Sequence, residues 1–177
     1  MPLNVAPKLE TERLILRGHK CSDLDPLFLM WCEPKVYEFI AGKPTTIEDC
    51  WRNILRHNGQ WQMVGYGFWV LEEKFSGAII GEAGFLDCKR NISPSMDETP
   101  EMGWALLTAR HGKGFATEAM QMIAAWGDQN LTQTITACIT APENTTSIRV
   151  AQKLGFKQVA QTTYHGEPTL LFHRFRP

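Results

Sequence analysis

The residues with most to offer chemically lie in one run, Leu106-Leu107-Thr108-Ala109-Arg110-His111-Gly112-Lys113-Gly114-Phe115-Ala116-Thr117-Glu118-Ala119. Its apolar start reads as the end of a strand, and Phe115, Ala119, Met122, Ile123 and Trp126 then recur as one face of a helix. Between the two, Gly112 and Gly114 make a turn without Cβ atoms. The first four amides of a helix have no internal partner and carry the positive end of its dipole, so such a turn can seat a phosphate directly on backbone. A plain strand-to-helix turn would use the same glycines, and that reading stands beside the first. A P-loop is excluded, because Leu107 stands where its first Gly belongs and Gly114 where its hydroxyl belongs. A dinucleotide-binding fingerprint is met only in part, with Thr117 in place of the last Gly or Ala and Glu143 arriving late, behind Pro142.

Outside this run the candidates are fewer. Glu82 interrupts an apolar stretch, and a carboxylate between Gly81 and Ala83 needs a cleft or a partner. His111 can titrate near neutrality, although one histidine in a polar loop is usually just solvated. Cys21, Cys32, Cys50, Cys88 and Cys138 are odd in number, widely spaced and without a C-x-x-C pair, which argues against a zinc site or a disulfide framework and for a reducing cytoplasm. Cys88 and Cys138 have no evident His-Asp set, so a cysteine nucleophile is not expected.

Composition narrows the classes further. A chain of 177 residues with 44% hydrophobic residues is the size of one compact domain, here residues 1–177. Eighteen Lys and Arg against nineteen Asp and Glu leave a net charge of −1, without the positive excess that draws a whole chain onto nucleic acid or an anionic membrane. An anionic ligand must therefore be met by a local device. The opening Met1-Pro2-Leu3-Asn4-Val5 has neither the basic nor the apolar region of a signal peptide, and no stretch reads as a membrane span, so a soluble cytoplasmic protein is expected.

The elements that must hold the glycine turn follow from the pattern. Residues 13–17 read as a strand, and Ser22-Asp23 caps a helix carrying Leu24, Leu27, Phe28 and Trp31 on one face. A second helix opens at Thr45, whose hydroxyl would cap while Glu48 reaches back, continues through Trp51, Ile54 and Leu55, and ends at Asn58-Gly59. Residues 67–71 and 78–86 form a hairpin, 91–100 a loop and 101–107 a strand. After the glycine turn comes a helix closed by Gly127, then a strand over 134–140, a helix over 144–154 with Gly155 as its cap, and a hairpin of 158–164 and 169–175 across His165-Gly166-Glu167-Pro168. The tryptophans are mostly core by spacing, with Trp31 and Trp61 as candidates for an acceptor cleft. The order predicts an α/β (α+β) fold with a mixed, mostly antiparallel sheet covered by helices.

Four separated segments give the chain a family resemblance. His111-Gly112-Lys113-Gly114-Phe115-Ala116 resembles the pyrophosphate motif of the GNAT superfamily of acetyl-CoA-dependent N-acetyltransferases, with His in the place of the usual Arg or Gln. Thr117-Glu118-Ala119, the opening Leu9-Glu10-Thr11-Glu12-Arg13-Leu14-Ile15-Leu16-Arg17, and residues 142–156 ending in Lys153-Leu154-Gly155-Phe156 resemble its ribosomal-protein N-terminal acetyltransferase branch (RimJ/RimL-like). The resemblance implies a sheet that splays beside residues 101–107, about four flanking helices, and an acetyl-CoA whose pantetheine pairs with that strand. The cofactor would be held by Leu106, Leu107, Thr108, Gly112, Lys113, Gly114, Phe115, Ala116, Thr117, Asn144 and Ser147.

It also implies an activity, transfer of acetyl to a primary amine of a protein N-terminus or small molecule by direct attack in a ternary complex, with no metal. Glu101, at the start of the strand leading to the turn, or Glu82 would take the amine proton, and Ser147 would protonate the leaving thiolate or merely serve its helix. Many family members carry a tyrosine acid where Ala151 stands here. That departure keeps a second class open, a non-catalytic acyl-CoA-binding or sensing module. Neither the acceptor nor the choice between monomer and homodimer is fixed by the sequence.

Overall fold

The computed structural model describes residues 5–177, and Met1 to Asn4, the start of the segment read as lacking a signal peptide, lie outside the described residues. In chain order, β1 (Leu9–Glu10) and β2 (Leu14–Arg17) precede α1 (Leu24–Trp31), α2 (Pro34–Tyr37) and α3 (Ile47–Val64). Strands β3 (Phe68–Glu73), β4 (Ile79–Leu86) and β5 (Glu101–Leu106) lead to α4 (Phe115–Asn130). Strand β6 (Ile135–Thr140), α5 (Thr145–Lys153), β7 (Lys157–Tyr164) and β8 (Glu167–Phe175) complete the chain.

The strands make one eight-stranded sheet in the order β1-β2-β3-β4-β5-β6-β8-β7. Neighbours are antiparallel except β5 and β6, which run parallel and pair only at Glu101 and Ala137. Strand β4 meanwhile pairs with β5 along its whole length, from Gly81 opposite Leu106 to Leu86 opposite Glu101. The β6 side of β5 therefore opens beyond Glu101, which is the expected splay, and leaves a row of backbone groups without a ladder partner.

Alternation along the strands sends Val70 and Ala105 to one face, under Leu27 and Met30 of α1 and Ile54 of α3. Trp69, Leu71, Phe85 and Met102 face the other way, against Ala119, Met120 and Ile123 of α4. Among the described residues no helix is long and apolar enough to cross a membrane.

Several boundaries differ from the sequence expectation. The cap of α3 is Thr46, not Thr45: its Oγ1 accepts from the Asp49 amide at 3.1 Å. That helix runs through Asn58-Gly59 to Val64 and stops at Gly65, φ +80°, because its buried face is Cys50, Ile54, His57 and Trp61 rather than a Trp51, Ile54, Leu55 stripe. Gly127 lies within α4, where an added Cβ would fall 2.5 Å from Phe85 Cζ, so the glycine permits close packing instead of ending the helix. The last hairpin turns on His165 and Gly166 alone, both at positive φ, as a two-residue primed turn requires. Among the described residues there are five α-helices, the additional one being the four-residue α2 with Pro34 in its first turn.

Candidate active site

From Leu106 a single 3₁₀ turn, Thr108–Arg110, carries the chain to α4. Gly112 and Gly114 have φ of +72° and +83°, a region L side chains rarely adopt. Gly114 is the N-cap of α4, and no side chain caps the helix. The amides of Phe115, Ala116 and Thr117 thus have no side-chain acceptor among the described residues.

The turn is braced from outside. Glu118 in the first turn of α4 accepts from the Thr11 hydroxyl at 2.6 Å, the Arg13 amide at 2.9 Å and Arg13 Nε at 2.6 Å. Burial opposes the ionised form of Glu118, but these bonds outweigh it and lower its pKa. Arg13 also donates to the Lys113 carbonyl at 3.0 Å, and its guanidinium carbon stands 4.1 Å from the centre of the Phe115 ring. Glu33, between α1 and α2, accepts from the Thr108 amide at 2.7 Å. His111 Nε2 lies 2.8 Å from the Leu106 carbonyl, which can only accept, so this nitrogen carries the proton.

The opened edge of β5, the glycine turn and α5 together border a cleft of about 530 Å³. Of the residues expected to hold a cofactor, Leu106, Gly112, Gly114, Phe115, Ala116, Thr117, Asn144 and Ser147 line it. Leu107, Thr108 and Lys113 do not: the Leu107 amide donates to the Ile80 carbonyl at 2.9 Å, that of Thr108 to Glu33, and the Lys113 carbonyl accepts from Arg13. His111 lines the cleft as well, rather than standing loose in solvent.

Sequence reasoning missed two groups of lining residues. Lys35, Arg149 and Lys153 face the cleft with the carboxylate of Glu38 and form the local cationic device that the neutral net charge called for, whereas Arg110, which also lines it, is paired with Glu73 at 2.8 Å. The signal for part of it was the spacing of Arg149 and Lys153, four apart on one helix face. Val36, Phe39 and Ile40 form an apolar rim, with Phe39 and Ile40 40% and 55% exposed. Nothing in the sequence pattern marked α2.

On α5, Asn144 Oδ1 accepts from the Ser147 amide at 3.1 Å. The capping that could have occupied Ser147 therefore falls to Asn144, and among the described residues the Ser147 hydroxyl makes no hydrogen bond. Ala151 is buried in the core beneath the helix.

Glu82 and Glu101 point to the α1/α3 face of adjacent strands, paired in register with Ala105 and Leu86. Glu101 is buried, not a solvated strand-end charge: Arg90 grips it through Nε at 2.5 Å and Nη2 at 2.8 Å. Burial disfavours the Arg90 cation, but Glu101 outweighs it and raises the guanidinium pKa. Arg90 also lies over the Tyr164 ring, 5.0 Å from its centre.

Glu82 has no guanidinium. His19 Nε2 stands 2.9 Å from Oε2, the Trp31 indole donates to Oε1 at 2.9 Å, and His57 Nε2 lies 3.8 Å from Oε1. Burial alone would raise this carboxyl, yet the bonds from His19 and Trp31 hold it down at about 2. Burial lowers His57 to about 3, so its imidazole is neutral and stacks flat on Phe68 with ring centres 4.6 Å apart. The three side chains do not make a preformed metal site, since the 2.9 Å from His19 to Glu82 is a hydrogen-bond length, shorter than the roughly 3.3 Å between two ligands on one tetrahedral zinc. The His19 and His57 rings are also stacked, with centres 5.0 Å apart and planes 26° apart. Trp31 is thus anchored to the buried carboxylate. Trp61, expected at an acceptor cleft, is instead core, 1% exposed, with its indole donating to the Phe68 carbonyl at 3.0 Å.

Comparison with known proteins agrees with this layout. An N-acetyltransferase of Bacillus licheniformis, p20, otherwise uncharacterised, is 29% identical over 85% of this chain and 82% of its own. A Bordetella pertussis structure assigned to the GNAT acetyltransferases is 30% identical, with a TM-score of 0.84 over 96% of this chain and 99% of that one. RimL, a ribosomal L7/L12 α-N-protein acetyltransferase solved with coenzyme A, shares the fold at 14% identity, with a TM-score of 0.78 over 96% of this chain and 98% of that one. The model of the acetyltransferase (GNAT) domain matches residues 13–157, from the brace on the glycine turn to the strand after α5, and the chain belongs to that family of acetyl-CoA-dependent acetyltransferases.

Proposed function

We propose that this acetyltransferase acts on a primary amine, by direct attack of the amine within a ternary complex, and that residues 1–177 form one N-acetyltransferase domain of the cytoplasm. The observation that carries the reading is the opened edge of β5 running into the uncapped start of α4, with cations around it. These residues fit acetyl-CoA: the amides of Phe115, Ala116 and Thr117 would hold the pyrophosphate, and the free edge of β5 would take the pantetheine amides as an added strand. The thioester supplies the acetyl group and a thiolate leaving group.

The chain's own residues divide the remaining work. Glu82 is the better placed base, ionised, buried and in register with cleft-lining Ala105, while both oxygens of Glu101 are taken by Arg90. Ser147 offers its hydroxyl proton to the cleft, and Asn144 fixes the first turn of α5 that carries it. Burial raises the Cys138 thiol far above its ordinary range, so it is not a nucleophile waiting for the acetyl group.

The test is thiol release from acetyl-CoA with a panel of peptides bearing free N-termini, polyamines, aminoglycosides and amino acids, each followed by mass spectrometry for a gain of one acetyl group. One amine must support turnover. The second reading, an acyl-CoA sensor, is favoured by Ala151 in the place of the tyrosine acid. It is right if acetyl-CoA raises the melting temperature while no amine in the panel is acetylated.

A further inference from the structure

We propose that Arg13 is a positioning residue for the cofactor: it acts through the glycine turn and sets the affinity for the nucleotide phosphates without touching them. The inference rests on the reading that the first amides of α4 hold the pyrophosphate.

Arg13 lies in the short connection between β1 and β2, far in sequence from the turn. Its one guanidinium reaches three successive parts of that turn, the Lys113 carbonyl, the Phe115 ring and the Glu118 carboxylate. Its Nη2 would lie 3.4 Å from a Cβ added at Gly114. The base of the brace is itself fixed, since the Arg13 carbonyl accepts from the Lys74 amide at 2.9 Å and the Thr11 hydroxyl bonds both the Leu14 amide and Glu118.

Two consequences follow for an anion at the turn. Gly112 and Gly114 adopt left-handed backbone, which leaves an unbraced turn many other conformations, and a fork anchored just before β2 keeps the carbonyl of Lys113 turned away from the ligand. The second is electrostatic. Glu118 belongs to the first turn of α4, where a carboxylate without a counter-charge would repel the pyrophosphate and compete for the helix dipole. Arg13, bonded to both of its oxygens, cancels that charge. Lysine would supply the charge but not a fork that reaches Lys113 and Glu118 together.

The experiment compares Arg13→Met, Arg13→Lys, Glu118→Gln and the double variant Arg13→Met with Glu118→Gln, with acetyl-CoA and with acetyl-pantetheine, which has no nucleotide phosphates. The acetyl acceptor is the best amine from the panel above. Arg13→Met should weaken acetyl-CoA roughly tenfold or more in KM, the loss of at least one charge-assisted hydrogen bond, with kcat and the acceptor KM little changed. Arg13→Lys should recover part of the affinity. The double variant should bind acetyl-CoA more tightly than Arg13→Met alone, because no unpaired carboxylate is left beside the anion. Turnover of acetyl-pantetheine should be the same in all of them.

Equal losses with both thioesters would overturn the proposal, reducing Arg13 to a structural part of the sheet. A double variant as weak as Arg13→Met, with no recovery in Arg13→Lys, would overturn it too. If the parent enzyme itself fails to distinguish acetyl-CoA from acetyl-pantetheine, the phosphate reading of the turn falls and this proposal with it.

Discussion

Glu82 and Glu101 stand on the same face of neighbouring strands, 2% and 5% exposed, although the sequence shows the first as an acid within an apolar run and the second as an acid at the start of a strand. Their surroundings are opposite. Glu101 has a guanidinium bound through two bonds and stacked on Tyr164, so its charge is cancelled within a rigid plane. Glu82 has an indole and two imidazoles, of which His57 is neutral, and no permanent cation. A carboxylate locked to a guanidinium has no partner that exchanges a proton, whereas one held by an indole and two imidazoles sits beside groups that can.

Removing a partner from each site separates the two roles. Arg90→Ala strands a buried carboxylate and should cost about 3 kcal/mol or more of stability, read from urea unfolding, with turnover at permissive temperature changed only a few-fold. If turnover collapses while the protein is still folded, Glu101 is part of the chemistry and the contrast is wrong. Glu82→Gln should do the reverse, lowering turnover at neutral pH by about 10²-fold, the lower end of what a general base supplies, with cofactor affinity nearly intact. A rate equal to the parent's would remove Glu82 from the mechanism.

The cleft offers a smaller effect. Ser147→Ala should lower turnover about tenfold, less than general acid catalysis usually supplies, because an alkyl thiolate of ordinary pKa near 8.5 can leave with water as the donor. Full turnover with weakened cofactor binding would make Ser147 a binding residue only. Filling the empty place of the tyrosine acid is not a simple restoration, since Ala151 is 1% exposed and packed in the core, where added volume forces its neighbours aside.

How legible all this was depends on the range of the interactions concerned. The glycine turn, the strand before it and the α4 stripe are local patterns, and they were readable as such. The brace was visible only as two separate likenesses, Thr11 to Arg13 and Thr117 to Ala119, and the fold explains why they occur together: one grips the other. The partners of Glu82 lie 63, 51 and 25 residues away in the chain, so the need for a partner was clear and its identity was not. Gly127 and Asn58-Gly59 misled because glycine has more than one use. At 127 it makes room for Phe85, while α3 runs on past 59 because Trp61 belongs to its buried face.

The smallest expected effect concerns pH and tests the His57 side of the comparison. His57 is depressed to about 3 by burial, so between pH 6.5 and that value the unfolded chain binds a proton that the folded protein does not. Its contribution to stability is therefore intact above pH 6.5 and is lost as the pH falls toward 3. Glu82, held at about 2, adds a loss of the same sign, but only below its ordinary range, from about pH 4.5 downward. Between pH 6.5 and 4.5 the two can be told apart. At pH 6 the His57 share is about 0.8 kcal/mol, growing toward 1.4 kcal/mol per pH unit. His57→Phe keeps an aromatic ring for the stack on Phe68 and removes the proton, so its unfolding free energy should fall less steeply than the parent's across that window. If both proteins show the same slope there, His57 takes up its proton without unfolding, Glu82 then has a cation beside it in the folded state, and the difference between the two carboxylates is one of geometry rather than charge.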